Sequence, residues 1–139
     1  MFSDVRELIS WIESQKRIVP KTSLQKMISL CEVFGSPQNK IKYVHVGGTN
    51  GKGSTVSFIK TVLMKAGYQV GTYVSPYVIS FNERIQFNDN YISDEDILRI
   101  GNRIISEYDE IERRGIVHPT FFEFITLMAF IYFSELKNL

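Results

Sequence analysis

Cysteine occurs once in 139 residues, at Cys31, so the chain can form neither an internal disulfide framework nor a thiolate metal cluster. Excess charge is missing too. Sixteen Lys and Arg stand against fifteen Asp and Glu, a formal net charge of +1, and no basic stripe is available to grip a nucleic-acid backbone. Nucleic acid is therefore not an expected partner. The longest apolar stretch, in TFFEFITLMAFIYF, falls short of the roughly 20 residues that a bilayer demands, so no membrane span is expected. The start, MFSDVRELISWIESQKR, carries acids and an amphipathic rhythm where a signal peptide has a basic end and a plain apolar run. A reducing, cytoplasmic setting fits these absences. Repeats, low-complexity tracts and a Pro/Gly-rich linker are also lacking, which leaves one compact domain.

Hydrophobic residues make up 44% of the chain and aromatics 13%, enough for one ordinary core. Val5, Leu8, Ile9 and Ile12 recur at helical spacing, with Ser3 placed to cap the helix and Pro20 to stop it. A second helix is expected from Ser23 to Phe34, with Leu24, Met27, Ile28 and Cys31 on its inner face and Gly35 and Pro37 ending it. Residues 41–46 read as a strand, 54–65 as a helix and YQVGTYVS as a second strand, a length that permits a right-handed parallel crossover. The run SPYVISFNERIQFNDNYIS predicts an ordered excursion containing a small hairpin that turns at Asn-Asp-Asn. Ser93 and Asp96 open a helix expected to reach about Arg113, with Gly115 as its stop. TFFEFITLMAFIYF is apolar nearly all round and reads as a buried helix.

Between the first strand and the helix after it stands HVGGTNGKGST. Glycines let a backbone curl until successive amides point inward, the following helix presents its positive end, and a lysine neutralises the outer phosphates of a nucleotide. Gly48, Gly51, Lys52 and Gly53 suit those roles. The usual phosphate loop places Ser or Thr directly after the lysine to ligate Mg²⁺, whereas this chain has Gly53. The hydroxyl must then come from Ser54, Thr55 or a more distant side chain.

Three stretches in order, GTNGKGST, SPYVISFNERI and TFFEFITLMAF, resemble signatures of the folylpolyglutamate synthase and dihydrofolate synthase family, a branch of the Mur ligase superfamily. The resemblance implies an α/β phosphate-loop nucleotide-binding fold of Mur ligase type, with a mostly parallel sheet that is incomplete here. It implies an ATP site at Gly48, Thr49, Asn50, Gly51, Lys52, Gly53, Ser54 and Thr55, with Lys52 as the catalytic cation. Ser75 and Glu123 resemble the Mg²⁺ ligands, Ser75 filling the place that Gly53 leaves. Pro76, Tyr77, Phe81, Asn82, Glu83 and Arg84 resemble the loop that shapes the pterin side of the site. Tyr77 stands where the family often has His, and Thr22-Ser23 replaces a more usual glycine. The implied reaction activates a folate or dihydropteroate carboxylate with MgATP as an acyl phosphate, which L-glutamate then attacks. Family members are roughly three times longer, so residues 1–139 are expected to be the N-terminal part of the ATP-binding domain, inactive alone, with the C-terminal domain lying beyond them.

Plainer roles compete at several of these positions. Glu123, inside an apolar run but close to a helix start, could bind a cation or merely cap free amides. Ser75 could be a Ser-Pro turn residue, and Glu83 and Arg84 a solvated hairpin pair. His45 and His118 read as packing or capping residues, and Phe121, Phe122, Phe124, Phe130 and Phe133 as core. A non-catalytic nucleotide-binding module derived from such a ligase is the alternative function. An ordinary phosphate-loop kinase is disfavoured by Gly53 and by the lack of an arginine-rich lid.

Overall fold

The computed structural model describes residues 1–17, 23–48, 50–75 and 79–136. Six helices and a small sheet follow in the order α1 (Val5–Glu13), α2 (Leu24–Val33), α3 (Lys52–Lys65), β1 (Gly71–Tyr73), β2 (Ile85–Phe87), β3 (Asn90–Tyr91), α4 (Asp94–Ser106), α5 (Tyr108–Arg113) and α6 (Phe121–Glu135). Single turns of 3-10 helix at Pro37–Lys40 and Phe81–Arg84 complete the described elements.

Local chemistry sets most boundaries. The cap of α1 is Asp4, whose carboxylate accepts from the Arg6 amide, not the expected Ser3. The expected stop at Pro20 and the substitution at Thr22 lie outside the described residues. Ser23 caps α2 through the Lys26 amide, and α2 closes when the amides of Gly35 and Ser36 return to the carbonyls of Glu32 and Cys31. Its inner face differs from expectation. Leu24 and Ile28 are exposed, while Lys26, Leu30 and Cys31 are buried. The helix expected over 94–113 is two helices, because Glu107 leaves the helical path between α4 and α5.

α6 forms the centre, packed against α4, α1 and α2, and its flanks are filled by Leu8, Ile12, Leu30, Ile97, Ile100, Ile104 and Ile111. Trp11 sets its ring edge-on against Phe124, 5.5 Å between centroids. Of the five phenylalanines read as core, one departs from that reading: Phe121, Phe124 and Phe133 are buried and Phe130 half-buried, but Phe122 is exposed.

The sheet is antiparallel throughout. β1 pairs with β2 and β2 with β3, with Gly71 opposite Phe87 and Gln86 opposite Tyr91, and the hairpin turns at Asn88 and Asp89 as anticipated. The parallel crossover is not formed among the described residues. Residues 41–46 join no ladder, since among the described residues no strand pairs with them, and Tyr43 and Val44 stay exposed. α3 begins at Lys52, earlier than expected, and buries none of its residues.

Candidate functional site

The glycine loop opens α3 without a side-chain cap. Gly51, at the cap position, has φ 74°, and Gly48 has φ 136°; a side chain at either would be strained in that left-handed region. Inside the helix the first amide to find a carbonyl is that of Thr55, bonded to Gly51 at 3.0 Å. The amides of Lys52, Gly53 and Ser54 therefore precede the helical ladder and face outward at the positive end of a 14-residue helix. Asn50 and residues 51–55 are exposed, so no described residue shields this end from a ligand. Thr49 lies outside the described residues.

The second cluster gathers where the sheet meets the start of α6. Beyond β1 the Val74 amide donates to the Arg84 carbonyl at 2.9 Å, which carries Ser75 alongside Arg84, and the Arg84 guanidinium donates to Ser75 Oγ at 3.2 Å. Arg84 is buried, with its guanidinium carbon 5.3 Å from the centre of the Phe121 ring. Tyr73 bridges the same gap: its ring stacks on exposed Phe122 and its hydroxyl lies 3.2 Å from Thr126 Oγ1. Burial pushes the Tyr73 hydroxyl up from its ordinary range, against the opposing pull of Thr126 and of the Arg84 charge. Ser75 is thus joined through Arg84 and Tyr73 to the first turns of α6, on which Glu123 sits.

Glu123 is held from two sides. The Thr120 amide donates to Oε1 at 2.9 Å while Thr120 Oγ1 accepts from the Glu123 amide, a reciprocal capping box. Lys26 Nζ donates to the same Oε1 at 2.7 Å and to the His118 carbonyl at 3.2 Å. Both side chains of this ion pair are nearly sealed from solvent, at 6% and 7% exposure. Oε2 is buried and has no hydrogen-bond partner among the described residues. The capping role weighed for Glu123 is therefore present and uses one oxygen only.

The expected substrate loop is partly in view. Pro76 and Tyr77 lie outside the described residues. Phe81 and Arg84 are buried, and Asn82 Nδ2 donates to the Ile92 carbonyl and to Asp94. Glu83 turns back to accept from the amides of Ile79 and Ser80. Glu83 and Arg84 are thus not a solvated hairpin pair, since they belong to the 3-10 turn that precedes β2. Among the described residues no hydrogen bond or ion pair ties Lys52 to Ser75 or Glu123, and no three His, Cys, Asp or Glu side chains gather as a metal cage. No described helix is long and apolar enough to cross a membrane.

Lys26 is the residue that reading of the sequence missed. Its spacing offered a clue, because it lies one turn before buried Leu30, and a lysine on a buried stripe requires an acid or carbonyl opposite.

No family model matches the chain. Among curated proteins, the dihydrofolate synthase/folylpolyglutamate synthase of Bacillus subtilis is 43% identical over 135 residues, which is 97% of this chain and 31% of that protein. The chain thus spans about a third of the length of such relatives. A solved complex of folylpolyglutamate synthase with AMPPCP and folate superposes with a TM-score of 0.88 at 32% identity, over 95% of this chain and 32% of the other. The Thermotoga maritima folylpolyglutamate synthase does so with a TM-score of 0.84 at 37% identity, over 94% and 30% respectively. With sequence and backbone both agreeing over nearly its whole length, the chain belongs to the folylpolyglutamate synthase/dihydrofolate synthase family.

Proposed function

We propose that the chain is the nucleotide-binding part of an ATP-dependent ligase that joins L-glutamate to a folate or dihydropteroate carboxylate through an acyl phosphate. The observation that carries this reading is the uncapped start of α3 behind left-handed Gly48 and Gly51, where three amides and Lys52 stand ready for anionic oxygens. The structural neighbour that contains AMPPCP and folate supports it. The loop amides would hold the phosphates in line and Lys52 would offset the charge of the outer ones, so that the chain contributes positioning and electrostatics to the reaction.

Ser75 and Glu123 suit a hard divalent cation, because both offer oxygen and Glu123 Oε2 is a buried acceptor left without a donor among the described residues. Mg²⁺ bound there would neutralise charge on the transferring phosphoryl group. Arg84 would orient the Ser75 hydroxyl, to which it already donates, and Phe81, Asn82 and Glu83, with Pro76 and Tyr77, would shape the pterin side.

Titration calorimetry with MgAMPPCP tests the reading. The chain should bind it, and Lys52→Ala should weaken binding by roughly tenfold or more, the scale of a lost charge-assisted contact. Absence of binding, or undiminished binding in the variant, overturns the phosphate-loop assignment. In a longer protein carrying this sequence, phosphate release should require folate or dihydropteroate and glutamate together. Nucleotide binding without such turnover would instead identify a non-catalytic module.

A further inference from the structure

The two oxygens of Glu123 are not equivalent. Oε1 accepts from Lys26 Nζ at 2.7 Å and from the Thr120 amide at 2.9 Å, which occupies both of its lone pairs, whereas Oε2 is buried with no partner among the described residues. Nor can the carboxylate exchange them freely. Lys26 is anchored at its far side by the His118 carbonyl, its amide is fixed by Ser23 at the start of α2, and the pair is shut away from water that might replace either contact. A cation that reached this carboxylate would find Oε1 taken and only Oε2, buried as it is, without a partner among the described residues.

From this asymmetry, and resting on the reading of Glu123 as a cation ligand, we infer that Lys26 is a specificity-determining residue: by reserving Oε1 it restricts Glu123 to one-oxygen ligation and so favours Mg²⁺ over Ca²⁺. Mg²⁺ demands six oxygens in near-ideal octahedral geometry and is served by single carboxylate oxygens, while Ca²⁺ takes six to eight and readily accepts a carboxylate by both. Lys26 also places a positive charge near the site, which opposes any divalent ion. That effect is common to Mg²⁺ and Ca²⁺, so the ratio of their affinities isolates the geometric effect.

The measurement is the dissociation constant of each ion, taken separately by calorimetry on the chain saturated with AMPPCP. Unaltered protein should prefer Mg²⁺. Lys26→Gln and Lys26→Met should each move the ratio toward Ca²⁺ by roughly tenfold, the scale on which groups holding a metal ligand tune affinity. A merely structural ion pair would change both constants together and leave the ratio within about twofold, which overturns the inference. Uptake of neither ion, or uptake unchanged in Glu123→Gln, removes the ligand reading itself and this inference with it. Dependence on Glu123 with an unmoved ratio removes the Lys26 role alone. Infrared difference spectra of the unaltered protein provide the same decision without a Lys26 variant. The carboxylate bands lost in Glu123→Gln should show the wide splitting of one-oxygen ligation with Mg²⁺, and the narrow splitting of two-oxygen ligation would overturn the inference.

Discussion

A thiol in an apolar interior resists ionisation because its thiolate would lose hydration that nothing nearby replaces. Cys31, on the inner face of α2, is 1% exposed, and burial pushes its pKa from 9.0 up to about 11. Folding therefore keeps the proton on between those values while the unfolded chain releases it. The stability this contributes is present below pH 9.0 and declines as pH rises toward about 11. Reaction of Cys31 with a disulfide reagent at pH 8 should be slow in the folded chain and fast in urea, and chemical denaturation at pH 8 and 10.5 should give the lower stability at the higher pH. Rapid labelling under native conditions would contradict the burial of this face. The position of Cys31 on an apolar face could be read in advance, since helical spacing alone places it there. The partnership of Lys26 with Glu123 could not, because the two lie 97 residues apart and only the packing of α2 beside the start of α6 joins them.

Elements announced themselves where one residue controls a boundary. Ser23, Ser93 and Thr120 each accept from the amide three residues on, as hydroxyls ahead of helical spacing should. The break at Glu107 was illegible, since no proline or glycine marks it and the apolar positions continue across it from Ile104 to Ile111. The antiparallel pairing of β1 was equally hidden: period-two patterning identifies strands but leaves their neighbours open, and the hairpin that follows proved nearer than 41–46. Besides the contacts of Tyr73 with Phe122 and Thr126, β1 approaches α6 closely at Gly71. A methyl group there would stand 2.5 Å from Cε1 of the Phe133 ring, itself 7% exposed and confined by the core. Gly71→Ala should thus cost about 1–3 kcal/mol, the usual range for overpacking, as a lower urea midpoint with an unchanged slope. Shortening the opposing ring in Gly71→Ala/Phe133→Leu should recover part of that loss, whereas a purely conformational effect of alanine would not be recovered.

At the scale of the molecule, apolar burial is unevenly shared. The buried hydrophobic residues come from α1, α2 and Phe34 just after it, α4, α5, α6 and the segment from Phe81 to Ile92, while α3 supplies none, with Phe58 71% and Val62 52% exposed. Among its described ties to the remainder is the pair between Lys60 and Asp89 at 3.3 Å, and Asp89 is itself largely exposed, so the pair adds little. Local opening of α3 should then need far less free energy than opening of α6, because opening α3 uncovers few packed contacts. Hydrogen exchange should show the amides of α3 exchanging well before those of Phe124 to Phe133. Nucleotide binding adds a contrast that packing cannot mimic. If phosphates settle on the amides of Lys52, Gly53 and Ser54, MgAMPPCP should slow exchange first at that end of α3 and at Thr55 and Val56, fixing the helix from its start. Protection confined to the α6 core, or spread evenly over the chain, would place the ligand elsewhere and detach the glycine loop from the role its geometry suggests.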